Sequence, residues 1–411
     1  MSDCMKTLKK FTVFSQAIIV MATACLSILP VQAAPRLHPF AGGFEGGVEV
    51  EAGGMHVQNF FYESGDGVDV LGYRARPSIV MARGGTEAQL QLGSYLESTN
   101  YDLPSPLRHH LDFGANAAFG WVPLSKHRFD LGTDFVHGHD QSGLVRSQSG
   151  DPDFSRSNEP DEWDNTKLNL GYRYGGPGAL AVSAISLGHR QREYTNNRSR
   201  TRVLDFVTRT LGYELAYTYT PKTSFLFDVD HSATDYEVFS PVIGSRNGDS
   251  ISARVGLRWA ATGKTSGDVR VGVRSYALDS RARPSSEALT WKINVDWAPT
   301  SLAQLKFAAG KAVSETFRDN ALFIDTRTVD LSWRQKWSQR FSTQAGVAYV
   351  NSNFVGANRK DDNISANVGG DFLLLAGVAV FAGYSYRDRS SNEALRGFDH
   401  AEARFGVKWT P

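Results

Sequence analysis

Cysteine is almost absent from this sequence, and the little there is lies at one end. Of 411 residues only two are cysteines, Cys4 and Cys25. The rest of the chain therefore cannot hold a disulfide framework, a cysteine-ligated metal or a cysteine nucleophile. Neither sign of charge dominates, because 44 basic residues stand against 43 acidic ones. A near-neutral chain of this kind is a poor match for a basic nucleic-acid-binding surface.

The first 33 residues have the pattern of a cleavable export signal. Three lysines between positions 6 and 10 precede an apolar stretch at 11–29, and the small residue Ala33 follows. A basic start, an apolar centre and a small-residue exit are the three parts of a secretory signal peptide. We therefore predict a cleaved signal peptide at 1–33, followed by a short periplasmic lead-in at 34–43.

Two other interpretations of this segment stay open. The apolar stretch is nearly long enough to act as an uncleaved membrane anchor. Small residues also precede Cys25, which makes this cysteine a candidate for lipid attachment. Cleavage after residue 33 would remove three lysines and Asp3, leaving 41 basic and 42 acidic residues and no cysteine.

Long apolar runs are also missing after the predicted signal. Mean hydropathy is −0.31, and no further helical membrane span is predicted. Glycine and aromatic residues are plentiful, with 39 glycines and 11% aromatics, whereas there are only 15 prolines. The remaining chain of roughly 375 residues exceeds the usual size of one soluble domain. This composition favours one large exported β-structure.

Alternation of apolar and polar residues with a period of two is the main structural signal. Within 250–259, Ile251 and Trp259 fall on one face of an extended strand, whereas Arg254 and Arg258 fall on the other. The same pattern recurs in three further segments: 268–274, 289–297 and 400–409. We count about 18 such strands, with 16 as the alternative, and an even number is usual for a single-chain membrane barrel.

Short and long connections alternate strictly between these strands. Short ones fall at 221–222 and 299–300, and long polar ones fall at 144–164 and 357–362. Short periplasmic turns and longer outside loops are typical of outer-membrane barrels. We therefore predict an all-β fold in which 44–411 form a single transmembrane antiparallel up-and-down β-barrel. A soluble solenoid or sandwich is the competing fold.

Large aromatic residues collect beside the short turns, on the apolar side of the alternation. Trp and Tyr concentrate where a membrane meets water. A soluble β-fold with aromatics in its core gives no reason for them to gather at one class of turn. The predicted aromatic girdle consists of Trp121, Tyr174, Tyr219, Trp259, Trp297, Trp337 and Trp409.

The other side of the strands carries most of the charged residues. An Arg or Lys facing lipid near the membrane centre costs about 2–4 kcal/mol, so this side must contact water. At this size a barrel encloses a water-filled channel instead of a packed core. The predicted pore-lining residues are Arg74, Arg76, Asp112, Asp130, Asp134, Glu214, Asp228, Asp230, Arg254, Arg258, Arg270, Arg274, Lys292, Arg334 and Arg404.

The signs of these charges are not evenly mixed along the chain. Acids concentrate at 112–134 and 214–230, and arginines at 254–274. We predict an acidic arc opposed to a basic arc across the pore. Four arginines are the candidates for attracting anionic groups such as uronic acids: Arg254, Arg258, Arg270 and Arg274. The alternative is that they pair with neighbouring acids and only hydrate the wall.

Candidate catalytic chemistry is sparse. His137 and His139 alternate on one predicted strand face, where two imidazoles can chelate a metal, but two ligands alone are a weak signal. No Gly-x-Ser-x-Gly elbow, Walker loop or His-Glu-x-x-His motif occurs. We therefore expect no enzyme activity, no cofactor and no metal.

Several segments resemble the putative beta-barrel porin 2 family, outer-membrane barrels associated with exopolysaccharide and capsule gene clusters. The resemblance rests on Val-Gln-Asn-Phe-Phe-Tyr at 57–62 and Tyr-Arg-Ala-Arg-Pro-Ser at 73–78. It also rests on the repeated strand units at 255–266 and 289–301, and it covers 44–411.

The resemblance implies a channel in the outer membrane of a Gram-negative bacterium that takes part in export of an exopolysaccharide or capsular polysaccharide. The partners expected are outer-membrane lipid and lipopolysaccharide, the polysaccharide and a periplasmic polysaccharide export protein, but no nucleic acid. A general or oligosaccharide-selective diffusion porin is the main alternative. A structural or adhesive barrel with a closed lumen is another.

Overall fold

The computed structural model describes residues 38–65, 67–141, 159–238, 245–279, 285–314 and 323–411. The predicted signal peptide, the start of the lead-in and most of the largest predicted loop lie outside these residues. The interpretations of those segments therefore stay predictions. What is described is almost entirely β-strand.

Eighteen long antiparallel strands within the described residues close into one barrel. Each pairs with the next along the chain, and the last pairs with the first, from Ala401 opposite Gln58 to Trp409 opposite Val50. Closure pairs the first strand with the last and so removes the two long free edges of an open sheet. The predicted fold class is confirmed, with 18 strands and not 16. The strands are β2 Phe44–Gln58, β3 Val70–Gly84, β4 Ala88–Tyr101, β5 His109–Leu124, β6 His127–His139, β7 Glu162–Tyr174, β8 Ala181–Tyr194, β9 Phe206–Thr220, β10 Thr223–Tyr236, β11 Gly248–Thr262, β12 Thr265–Leu278, β13 Ser286–Thr300, β14 Ala303–Ser314, β15 Phe323–Lys336, β16 Phe341–Val355, β17 Arg359–Leu375, β18 Val378–Ser391 and β19 Phe398–Trp409.

A three-residue strand, β1 (His38–Phe40), precedes the barrel. It folds back antiparallel on the start of β2, with His38 opposite Gly46. Strand β19 pairs with β2 only as far as Val50, so β1 covers part of the β2 edge that β19 leaves unpaired. Because an uncovered edge invites pairing with other chains, β1 protects the seam of the barrel.

Each barrel strand is apolar on one face and polar on the other. On β12, Val271 and Val273 are 45% and 56% exposed, and they alternate with the half-buried Arg270 and Arg274. Successive side chains of a strand point to opposite faces. We call the exposed apolar side the apolar face and the opposite side the charged face. An exposed apolar belt around a closed barrel is what contact with lipid requires.

The connections at one end of the barrel are short, and we call this the short-turn end. Among them is 376–377, where Gly377 has a φ of 81°, a left-handed conformation that glycine adopts without steric cost. The opposite, long-loop end carries most of the longer connections. Because the strand number is even, β2 begins and β19 ends at the short-turn end. The short connections are 85–87, 125–126, 175–180, 221–222, 263–264, 301–302, 337–340 and 376–377.

Strict alternation of short and long connections is wrong at one place. The predicted loop at 357–362 is only three residues, 356–358, because β17 begins at Arg359. Arg359 is 1% exposed, bonds to Asp361 at 2.9 Å and lies 4.4 Å from the ring centre of Phe354. The Arg359 charge is neutralised by Asp361, within the same strand. The polar stretch that was predicted as a loop therefore forms the start of β17.

The segment 57–62, which carries part of the family resemblance, is mostly a turn and not a strand. Strand β2 stops at Gln58, and the next residues turn, with φ of 51° at Asn59 and 54° at Tyr62. Left-handed φ angles are uncommon for residues other than glycine. Apolar alternation alone could not distinguish this turn from the end of the strand.

Among the described residues, helical structure is confined to short segments. The connection between β8 and β9 contains α1 (Arg198–Thr201) and a 3-10 turn at Arg202–Leu204, and another 3-10 turn covers Ala41–Gly43. Within the described ranges, no helix has the length and apolar character needed to cross a membrane.

Candidate functional site

The charged face of β9 to β12 carries a network of ion pairs centred on Arg270. Its guanidinium lies 3.0 Å from Glu214, 2.8 Å from Asp228 and 3.2 Å from Asp268. These contacts join β12 to β9, which is three strands away. Neighbouring strands are about 4.8 Å apart, so side chains on β9 and β12 can meet only on the concave side of a curved wall. The charged face is therefore the inner face here.

Two arginines of β11 complete this network. Arg254 lies 2.6 Å from Asp228 and also bonds to Asp230, and Arg258 lies 3.2 Å from Glu214. The side chain of Asp228 is 7% exposed and that of Arg258 is 38% exposed, so the network is buried at its centre and open at its margin. Each carboxylate of the network has an arginine partner, which offsets the cost of removing it from bulk water.

The network corrects the predicted opposition of acidic and basic arcs. The acids of 214–230 lie on β9 and β10, and the arginines of 254–274 lie on the adjoining β11 and β12. In an up-and-down barrel, strands that follow each other in sequence are neighbours. Blocks of opposite charge on successive hairpins therefore meet side by side and neutralise each other. The alternative interpretation was that the four arginines pair with neighbouring acids. Three of them do so: Arg254, Arg258 and Arg270.

Other predicted pore-lining cations have fewer or different partners. Arg274 donates to a serine hydroxyl of β11 at 2.7 Å. Lys292 lies opposite the central arginine of the network in the β12–β13 register. Arg334 lies opposite glutamines of both adjoining strands. Arg404 is 2.9 Å from Glu402 of its own strand. The inner wall thus combines compensated charges with cations set among neutral groups.

A second group of ion pairs joins β2, β3 and β4. Arg74 bonds to Glu51 and lies 3.7 Å from Glu97, and Arg76 lies 3.6 Å from the same Glu97. The guanidinium of Arg76 is also 4.3 Å from the ring centre of Tyr95. The two arginines and two glutamates again balance, which makes this part of the wall polar without a net charge.

The predicted pore-lining acids of β5 and β6 have basic partners too. Asp130 lies 2.8 Å from Arg128, and Asp134 lies 3.6 Å from Lys167. Asp112 lies 2.8 Å from an imidazole of β6. Within these strands the acids therefore do not form an uncompensated acidic arc.

His137 and His139 contact opposite faces of the wall, contrary to the prediction that they share one. The Nδ1 atom of His137 is 2.7 Å from Asp164, and its ring stacks on Phe113 at 5.0 Å. The Nδ1 atom of His139 is 2.8 Å from Asp112. Phe113 and Asp112 are consecutive on β5 and point to opposite sides. No group of three potential metal ligands comes together in the part of the chain that the structure describes.

The predicted girdle residues all lie at the short-turn end, on the apolar face. Trp121 packs against Phe129 across the β5–β6 turn, with ring centres 5.5 Å apart. Trp259 is half-buried and covers Gly267, where an added Cβ would come within 2.5 Å of the indole. The six members that are at least 42% exposed are Trp121, Tyr174, Tyr219, Trp297, Trp337 and Trp409.

An apolar cluster lies on the charged-face side of β2 and β3 at the long-loop end, where the sequence predicts hydrated residues. Met55 and Val57 have the parity of the charged side chains, yet they are 6% and 4% exposed. They pack with Phe60 and Phe61, which follow β2, and with Val70 of β3. We call Asn59–Tyr62 the inward turn, because it folds over the inner wall instead of projecting outward.

The inward turn is anchored on two sides. The Tyr62 ring stacks on His400 of β19 at 4.3 Å, and its hydroxyl bonds to Gln141, just beyond β6. The side-chain amide of Asn59 donates to the carbonyl oxygen of Asp399 at 2.7 Å. These contacts extend from β19 to the end of β6. The turn therefore narrows the inner opening at the long-loop end, and periodicity gave no signal for it.

Asp140 holds three strands together at the same end. It follows β6 and accepts hydrogen bonds from the indole of Trp163 on β7 at 3.0 Å and from the hydroxyl of Tyr194 on β8 at 2.8 Å. Burial raises the pKa of the Asp140 carboxyl. Sequence reasoning did not find this group, because its partners are 23 and 54 residues away.

These features define the class of protein. A closed 18-stranded antiparallel barrel with an exposed apolar outer belt and a charged inner wall is an outer-membrane β-barrel of porin-like fold. Residues 141–410 match the family described as "Putative beta-barrel porin 2", and the chain belongs to this family. The resemblance drawn from the sequence is thereby confirmed. No curated protein matches the sequence.

The chain is also similar, at low sequence identity, to several solved structures. The FrpB iron transporter from Neisseria meningitidis (F3-3 variant) is 11% identical with a TM-score of 0.47, over 84% of this chain and 62% of that one. The copper transporter OprC is 13% identical with a TM-score of 0.47, over 90% and 68%. OccAB4 from Acinetobacter baumannii is 11% identical with a TM-score of 0.44, over 89% and 98%. This chain thus spans less than two thirds of the FrpB variant.

Proposed function

We propose that this protein is a water-filled channel of the Gram-negative outer membrane that takes part in export of an exopolysaccharide or capsular polysaccharide. The observation that supports a water-filled channel is the charged inner wall. Ion pairs occur on the charged face of β2 to β4, of β5 to β7 and of β9 to β12. Such groups require water or protein partners, and a closed barrel of this size encloses room for water.

The aromatic girdle supports a definite orientation in the membrane. Trp and Tyr favour the lipid–water boundary, and the seven girdle residues share the short-turn end of the apolar face. Short turns lie on the periplasmic side of outer-membrane barrels. In the proposed orientation the inward turn is at the extracellular mouth, and both β1 and the end of β19 are in the periplasm. A periplasmic export protein would dock at the short-turn end.

The polysaccharide is inferred from the family and from the chemistry of the wall. A saccharide conduit requires aromatic rings for stacking and polar groups for hydroxyls. Among aromatic residues on the charged face, the Tyr95 ring centre lies 4.3 Å from the Arg76 guanidinium, and that of Phe381 lies 5.1 Å from the ammonium of Lys408. The predicted pore-lining set supplies the polar groups. Lipid and lipopolysaccharide would contact the apolar face.

A diffusion porin for small solutes or oligosaccharides is the second candidate, and the ion pairs favour it. A wall whose charges are compensated locally, as around Arg270, selects weakly between solutes. The inward turn in contrast favours the third candidate, a closed structural or adhesive barrel. These alternatives differ in whether the lumen conducts and in what passes through it.

Two experiments decide among them. The purified barrel inserted in planar bilayers is expected to give discrete conductance steps, and a protein that inserts without conducting would leave only the closed barrel. A clean gene deletion is then expected to lower secreted polysaccharide, with recovery on complementation. If the channel conducts but the deletion leaves secreted polysaccharide unchanged, the diffusion porin is the correct function. Neighbouring glycosyltransferase genes would favour export.

A further inference from the structure

Two arginines of β8 stand out on the charged face, near the long-loop end. Arg190 and Arg192 alternate with apolar-face residues such as Leu187, which is 49% exposed. The Nε atom of Arg190 donates to the Asn165 side chain at 3.1 Å. The guanidinium of Arg192 lies 4.0 Å from the ring centre of Trp163. Both side chains are therefore oriented by neutral groups of β7.

Neither arginine forms a direct ion pair with a carboxylate among the described residues, although Asp140 lies close enough to Arg192 to interact with it electrostatically. Their contacts are with amide and aromatic groups, in contrast to Arg270, which touches three carboxylates. The Nε atom of Arg192 is buried and has no hydrogen-bond partner within the described ranges. A buried guanidinium donor without an acceptor is costly, and an anion would satisfy it.

The surroundings add positive charge and hydroxyl groups. Lys167 lies opposite Arg190 in the β7–β8 register, although it is also 3.6 Å from Asp134. Thr208 lies opposite Arg190 on the other side, and its hydroxyl is 3.1 Å from that of Thr234 on β10. The inner wall from β7 to β10 thus places cations beside a row of neutral hydroxyls.

We propose that Arg190 and Arg192 form an anion-binding site for the carboxylate of an acidic sugar, with the hydroxyls of β9 and β10 beside the sugar ring. The proposal rests on the proposed function, since it assigns the site to a solute inside the channel. Arginines at alternate strand positions are about 7 Å apart, so they can grip one carboxylate together or contact successive charged units. Arg binds carboxylate through planar, charge-assisted hydrogen bonds.

Other cations without a carboxylate partner are less suited to this role. Lys292 and Arg334 stand singly on their strands, and Lys292 is next to the compensated network. At β8 two such arginines share a face at alternate positions, each over an aromatic ring, Phe206 for Arg190 and Trp163 for Arg192.

The test is glucuronate binding by the whole barrel in detergent, measured by calorimetry. Wild-type protein is expected to bind glucuronate and to bind glucose at least about tenfold more weakly, because glucose lacks the charged group. The Arg190→Gln/Arg192→Gln double variant should weaken glucuronate binding about tenfold or more. The matched control is Arg209→Gln, which removes one charge from the apolar face of β9, where Arg209 is 63% exposed and paired with Asp235.

Three outcomes would overturn the proposal: equal binding of glucuronate and glucose by the wild-type protein, unchanged affinity in the folded double variant, or an equal loss in Arg209→Gln. The comparison of glucuronate with glucose uses the wild-type protein alone. The proposal can therefore be overturned even if the double variant does not fold. Binding is measured without conduction or secretion. A barrel that binds glucuronate but whose deletion leaves secreted polysaccharide unchanged therefore supports the site and overturns the export function. A barrel that does not bind glucuronate but whose deletion lowers secreted polysaccharide overturns the site and supports export.

Discussion

Two regions of the same inner wall bury their side chains in different ways, one through ion pairs and the other through apolar packing. Around Arg270, the charged face of β9 to β12 is built from arginines and carboxylates that bridge up to four strands. Around Phe60, the same face of β2 and β3 is built from apolar side chains that pack as in a soluble core. Both follow the same alternation, but only the first has the polarity expected of a channel wall.

The difference shows what sets the polarity of a barrel interior. In the Arg270 region two-residue turns join β9 to β10 and β11 to β12, and the charged network lines the inner face of the wall. In the Phe60 region the inward turn covers the wall, so apolar residues are buried on the side where water was expected. A connecting segment, not the strand pattern, decides whether an inward position meets water. We therefore expect the two regions to respond differently to substitution.

Emptying the apolar region should have the largest effect. Phe60→Ala with Phe61→Ala removes two rings that are 8% and 9% exposed, and each buried Phe→Ala change costs about 3–5 kcal/mol of unfolding free energy. The inward turn should loosen, so single-channel conductance should also rise. Urea unfolding followed by gel mobility measures the first effect, and planar bilayers measure the second.

The control for this pair is Leu395→Ala, because Leu395 is 74% exposed in the β18–β19 connection. It should change neither the urea midpoint nor the conductance. A Phe60/Phe61 variant that is destabilised but conducts as the wild type does would show that the inward turn does not narrow the path.

Breaking the charged network at its centre should have an intermediate effect. Arg270→Gln removes contacts to three carboxylates and should cost about 2 kcal/mol or more, because hydrogen bonds to buried charged groups are worth about 1.5–3 kcal/mol. The remaining negative charge should also shift the ion selectivity toward cations. The urea midpoint and the reversal potential in a salt gradient are the measurements. A reversal potential equal to that of the wild type would contradict a water-facing network.

The margin of the network should respond least. Arg258 is 38% exposed, and its one ion-pair partner among the described residues is Glu214, at 3.2 Å. Exposed ion pairs contribute about 0–1 kcal/mol. Arg258→Gln should therefore leave the urea midpoint nearly unchanged. If it destabilises the barrel as much as Arg270→Gln does, the gradient from buried centre to open margin is wrong.

Much of the fold was predictable from the sequence because the features that define a membrane barrel recur within each strand and turn. A period of two determines which side chains face lipid, and turn residues mark where strands end. Segments such as 250–259 satisfy both rules, and β11 follows them from Gly248 to Thr262. The errors lie where side chains compensate locally, as at Arg359, or where a positive φ ends a strand, as at Asn59.

The candidate site was predictable only as a set of inward positions, not as a set of contacts. The four arginines at 254–274 were predicted as one group, yet three are neutralised by the adjoining strands and the fourth binds a serine. Arg190 and Arg192 carried no signal, since they were two charges among many. What distinguishes them is that neither forms a direct ion pair with a described carboxylate, while each guanidinium lies over an aromatic ring.

By itself, the sequence determined the barrel: its even strand number, its lipid-facing parity and the gathering of aromatics at the short turns. These follow from the period of the strand and the cost of charge in lipid. Only the tertiary structure decided which inward charges are neutralised, which arginines have neutral partners, and that residues 59–62 fold back over the wall. Those outcomes depend on distances between strands that lie far apart in the chain, and alternation along one strand does not carry that information.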